Sequence, residues 1–96
     1  MKIELIKFGN ILSSRPAGKD AYSGFSSEIS KITKDEVVEV DFSNITSFAP
    51  SWGDEFLSPL LNRFNDRLIL TNTENSSVTL TLELLEETNG YKFNRG

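Results

Sequence analysis

The stretch Val37-Val38-Glu39-Val40-Asp41-Phe42 constrains this chain more than any other. Three valines and a phenylalanine in six residues carry the β-branched and aromatic character of a pleated segment. That density of apolar side chains predicts a central, mostly buried strand. Polar Ser43-Asn44 ends it, and Ile45 to Pro50 read as a loop. A strand buried in this way needs other elements packed on it, so the rest of the chain is read for what can cover it.

Ile3 to Phe8 read as a first strand, ended by Gly9-Asn10, with Ile11-Leu12 as a short apolar stub, the other arm of a turn. Ser14 is placed to cap a first helix, with Pro16 in its first turn. Ala21, Phe25, Ile29 and Ile32 then recur at spacings of four, four and three, one helical face. Gly18 and Gly24 weaken that helix. A second helix is expected from Ser51, with Ser51 as N-cap and Asp54 and Glu55 in the first turn, where the helix dipole favours acids. Trp52, Phe56 and Leu60, with Leu57, Leu61 and Phe64, form its apolar face. Pro59 is expected to kink it, or to split it with Ser58 capping a second piece. Arg67 to Thr71 read as a third strand. Val78, Leu80, Leu82 and Leu84 alternate as in a strand, whereas Val78, Thr81, Leu82 and Leu85 share a helical face. The polar start at Asn75-Ser76 and the acidic end favour a helix over Ser76–Thr88. Tyr91 to Gly96 form a short tail with room for a brief strand. The resulting order, β-α-β-α-β-α, implies an α/β domain over residues 1–96 with a small, mostly parallel or mixed sheet and right-handed crossovers.

Composition narrows the chemistry. The 96 residues contain no cysteine and no histidine. Thiolate chemistry, disulfides and zinc–thiolate sites are excluded, and the commonest general base is missing, so the expected protein is not an enzyme and carries no metal or other cofactor. A net charge of −4 with singly scattered Lys and Arg argues against nucleic acid as a partner. No apolar run is long enough to cross a bilayer and no signal-peptide pattern opens the chain, so a cytoplasmic address is expected.

Individual residues have bland readings beside sharper ones. Trp52 is either a core anchor, in step with Phe56, or an exposed contact residue. Asp41, at the strand end, is read as the acceptor of an Asx-type turn rather than as a catalytic carboxylate paired with Asp54. Arg15 is placed to bridge Asp41 or Asp54, or to bind an anion. Glu83, Glu86 and Glu87 read as a solvated helix face.

Asp41-Phe42-Ser43-Asn44-Ile45, followed by Phe48-Ala49-Pro50-Ser51-Trp52-Gly53-Asp54-Glu55-Phe56, resembles the STAS-like family of unknown function, related in shape to the STAS domains of bacterial anti-sigma-factor antagonists. Ser14-Arg15 before the first helix and a proline within the second are part of the likeness, which covers roughly Ile3 to Glu87. The resemblance implies a regulatory module that binds a protein partner through the loop and the start of the second helix, at Phe48, Ser51, Trp52, Asp54 and Glu55. In the better-understood relatives a serine there is phosphorylated by a kinase of the histidine-kinase-like ATPase type. Matching Phe48 to the phenylalanine of their Phe-Met-Asp-Ser-Ser-Gly stretch puts Trp52 on the usual phosphoacceptor and Ser51 on the serine before it. Ser51 is thus a helix cap or a phosphoacceptor. The alternative function is a nucleotide or small-anion site at the same helix N-terminus. The oligomeric state stays open.

Overall fold

The computed structural model describes residues 1–95. Its elements run β1 (Lys2–Glu4), β2 (Ile11–Leu12), α1 (Arg15–Ser30), β3 (Val38–Asp41), β4 (Ser47–Phe48), α2 (Pro50–Phe64), β5 (Leu68–Thr71), α3 (Ser76–Asn89) and β6 (Asn94–Arg95), with 3-10 turns at Leu5–Phe8 and Asn65–Arg67. The fold is α/β, as expected. Four strands form a parallel sheet in the order β1-β3-β5-β6, and β2 pairs in parallel with β4 in a separate two-stranded ladder.

Strand order in the main sheet follows chain order. Right-handed crossovers that always step in one direction put α1, α2 and α3 on the same face. Side chains follow this division. Ile3, Val38, Val40, Leu68 and Leu70 point into the helices and are buried. Lys2, Glu39, Ile69 and Asn94, in register across the sheet, belong to the opposite face and are exposed or half-buried. The central strand is therefore covered on one side only. The expectation of a mostly buried Val37–Phe42 strand holds for Val38, Val40, Asp41 and Phe42, whereas Val37 is exposed and Glu39 half-buried.

Several expected boundaries move. The Ile3–Phe8 strand stops at Glu4, because β3 offers no partner beyond Asp41. The chain then tightens into a 3-10 turn that brings Phe8 within 6.2 Å, 6.1 Å and 5.4 Å, ring to ring, of Phe25, Trp52 and Phe56. Ile11-Leu12 is no arm of a turn; it pairs with Ser47-Phe48, 36 residues away in the register Ile11↔Ser47. The Ser76–Thr88 segment is helical, with Val78, Thr81, Leu82 and Leu85 buried. Pro59 does not split α2, which is one helix of 15 residues. The tail adds β6 to the edge of β5.

α1 and α2 pack closely because Gly18 allows it. A β-carbon at Gly18 would stand 2.6 Å from the Trp52 carbonyl oxygen, so only glycine lets the two backbones approach this far. The residue that weakens α1 as an isolated helix is what seats it on α2. No helix among the described residues is long and apolar enough to cross a membrane.

Candidate functional site

The start of α2 is set by Pro50. Proline at the first helical position lacks only an amide that would have no partner there, and its fixed φ suits the helix. The N-cap is consequently Ala49, with φ −88° and ψ 146°, and no side chain caps the helix. This corrects the reading of Ser51 as N-cap: Ser51 is the second residue of the helix and is half-buried. The same shift by two residues moves Asp54 and Glu55 out of the first turn.

Packing holds this helix start instead. Trp52 is 2% exposed and stacks on Phe56 at 4.9 Å between ring centroids. Its edge-on partner Phe48, at 6.0 Å, is 1% exposed. Trp52 is therefore a core anchor, and the alternative of an exposed contact residue is removed. Phe48, also buried, can shape a partner surface but not form it in this conformation. Gly53 is fitted between Phe48 and Leu85: a β-carbon there would stand 2.8 Å from Phe48 Cζ and 2.9 Å from Leu85 Cδ1.

The loop before α2 is clasped by α3. Asn75 caps α3, accepting from the amides of Ser77 (2.7 Å) and Val78 (3.2 Å), while its amide nitrogen donates to the carbonyl of Ile45 at 3.2 Å. The Phe48 amide donates to Ser77 Oγ at 3.0 Å, and Thr81 Oγ1 donates to the Phe48 carbonyl at 2.6 Å. Sequence reasoning missed Ser77 and Thr81 as supports of the site. A buried threonine among leucines was the available signal, since a buried hydroxyl must find an acceptor.

Arg15 joins the starts of α1 and α2. Its Nη1 donates to Glu55 Oε2 at 2.6 Å and to Asp54 Oδ2 at 3.0 Å. Hydrogen bonds from the guanidinium to Asp54 and then Glu55 raise the Arg15 pKa further. Asp54 also accepts from Ser58 Oγ at 3.0 Å, and Ser58 shares a 2.8 Å hydrogen bond with the Tyr91 hydroxyl. Ser58 thus ties α2 to the tail rather than capping a second helix. Arg15, Pro50, Ser51 and Asp54, with Leu84, Leu85, Thr88 and Asn89, line a cleft of about 290 Å³.

Asp41 lies apart from this cluster. Its Oδ1 accepts from the Ser43 amide (2.9 Å), the Ser43 hydroxyl (2.7 Å) and Asn72 Nδ2 (2.8 Å), the Asx-type turn expected of it. Lys2 Nζ is 3.6 Å from Oδ2. Burial works to raise this carboxyl, but the hydrogen bonds from Asn72 and Ser43 and the nearby ammonium outweigh it and bring the pKa down to about 2. Arg15 bridges Asp54, as one of its two expected partners, and not Asp41. Of the three C-terminal glutamates, Glu83 and Glu87 are exposed as expected, whereas Glu86 binds Arg95 at 3.0 Å and accepts from the Phe93 amide at 2.8 Å.

Groups of three or more Asp and Glu arranged to hold a metal ion are absent among the described residues. No curated protein and no solved structure matches the chain. A family model described as a STAS-like domain of unknown function (DUF4325) matches residues 25–78, from the middle of α1 to the first turn of α3, with Ser14 and Arg15 outside the match. That stretch holds β3, the clasped loop and all of α2, and it is more than half of the 96 residues: the chain belongs to the family of STAS-like domains of unknown function.

Proposed function

We propose that this protein is a non-enzymatic regulatory module that docks a protein partner through the loop Ile45–Ala49 and the start of α2, with Ser51 as the residue whose phosphorylation switches docking. The partner in this reading is a serine kinase of the histidine-kinase-like ATPase type. The observation that carries it is the position of Ser51. Its hydroxyl is released from capping by Pro50, and it opens onto the cleft beside Arg15 and Asp54. A phosphate there would gain from the helix N-terminus, where no side chain occupies the first amides. It would also compete with Asp54 and Glu55 for the Arg15 guanidinium, turning a charge change into a rearrangement between α1 and α2.

The test is capture of partners from the native host on the unmodified full chain, with mass spectrometry of peptides covering Ser51. An ATPase that co-purifies, together with a Ser51 phosphopeptide, is the expected result. Absence of both removes the switch. The uncapped amides of α2 also favour a second reading, a nucleotide or small-anion site at the same place. Calorimetry with nucleoside triphosphates and inorganic phosphate decides it, and flat titrations eliminate it.

A further inference from the structure

α3 has two unlike faces. Val78, Thr81, Leu82 and Leu85 turn inward and are buried. Ser76, Leu80, Glu83, Leu84 and Glu87 fall on the opposite side at helical spacings, and all five are exposed. Leu80 is 66% and Leu84 47% exposed, four residues apart and therefore adjacent on the helix surface. Glu83 and Glu87 form a second such pair beside them. The helix contains no Lys or Arg along its 14 residues. Neither Glu83 nor Glu87 forms an ion pair among the described residues.

Single exposed leucines are ordinary. What sets this face apart is its continuity and its sign. Leu84 also lines the cleft with Pro50, Ser51 and Asp54, so the aliphatic strip runs from α3 onto the start of α2. Among the described residues the only cation at that cleft is Arg15, already held by Asp54 and Glu55. The strip is thus flanked by Glu83 and Glu87 along one side of α3 and by Asp54 at the cleft.

We propose that this face of α3, joined to the start of α2, is a docking surface for an amphipathic protein segment that presents aliphatic side chains flanked by lysine or arginine. The inference rests on the docking role proposed above and gives the partner its chemistry. Burying Leu80 and Leu84 supplies a non-directional attraction, and the free carboxylates of Glu83 and Glu87 select positive over negative flanks. A second copy of the chain is a poor occupant, because pairing two such faces sets Glu83 and Glu87 against their equivalents.

The experiment titrates the isotopically labelled full chain with a synthetic amphipathic helix of leucines and lysines, and in parallel with the same peptide carrying glutamates for lysines. Amide shifts confined to Leu80–Thr88 and Ser51–Glu55, with the lysine peptide at least about tenfold tighter at low salt and the gap closing at high salt, are expected. Leu80→Asn/Leu84→Asn, at exposed positions that leave the far-ultraviolet circular dichroism unchanged, should abolish the shifts. Glu83→Lys/Glu87→Lys should reverse the peptide preference. Absence of shifts, shifts scattered over the open face of the sheet, or equal binding of both peptides overturns the proposal. So does self-association through α3 in sedimentation. Shifts at Ser51–Glu55 that survive in the leucine double variant leave the α2 docking role standing and remove the α3 face alone.

Discussion

The starts of α1 and α2 are built from the same two residue types in opposite order. At α1, Ser14 precedes the helix and Pro16 follows within its first turn, so the serine side chain caps, accepting from the Ala17 amide at 3.3 Å. At α2, Pro50 comes first and takes the first helical position, which carries Ser51 inside the helix and leaves the start without a side-chain cap. One helix start is held by a hydrogen bond in solvent. The other is held by Trp52, Gly53 and Phe48 in the core. The difference teaches that a serine's role at a helix start depends on which side of the proline it stands, because proline decides where the helix begins. It also separates two demands on α2, since packing secures the helix while its surface residue remains free for contact.

This contrast can be broken most severely at Trp52. Trp52→Ala should cost about 3–5 kcal/mol in chemical denaturation, since it opens a cavity among Phe8, Phe48 and Phe56. A loss below about 1 kcal/mol would show that packing does not hold this helix start.

The next effect lies at the end of β3, where Asp41 caps a strand end as Ser14 caps a helix. Its carboxyl is depressed from 3.8 to about 2, so the folded state takes up the proton less readily than the unfolded chain. The stability it contributes is therefore complete above about pH 4 and lost as pH falls toward 2, up to about 2 kcal/mol. Asp41→Asn should flatten that part of the stability–pH curve; an unchanged acid limb contradicts the assignment.

Smaller again is the α1 cap. Ser14→Ala should cost about 1 kcal/mol, and Ser14→Gly only a few tenths. Ser14 sits at φ 74°, a backbone region that glycine occupies without strain, which offsets part of the lost cap. The smallest effect sharpens the comparison most. Ser51→Ala should change stability by less than about 0.5 kcal/mol, because its hydroxyl caps nothing. A loss near that of Ser14→Ala would return Ser51 to a capping role.

Much of the fold was legible from local pattern. The Phe25 and Ile29 face of α1, the Leu68–Thr71 strand and the helical reading of Ser76–Thr88 follow from periodicity and polar boundaries, and burial follows them. Asp41 as an Asx-type acceptor was legible from its place at a strand end. The length of β1 was not, since a strand ends where its neighbour ends, and that neighbour lies at Val38–Asp41. Nor was the β2–β4 pairing, in which two residues gain strand geometry only by meeting each other across the chain. At the site, the sequence left Arg15 open between Asp41, Asp54 and an anion, and only the packing of α1 on α2 brings it to Asp54. Ser77, Thr81 and Tyr91 reach the site from segments with no sequence motif to announce them.

By itself the sequence determined the alternation of strands and helices, the absence of thiol and imidazole chemistry, and the acidic character of the molecule. Those are sums over local preference and composition, and need no knowledge of neighbours. Tertiary structure alone decided that all helices share one face of the sheet, that Trp52 is an anchor rather than a contact, and that Ser51 and Leu84 come to border one cleft. Each of these depends on which surfaces meet, and burial is a property of the pair in contact, not of either residue alone.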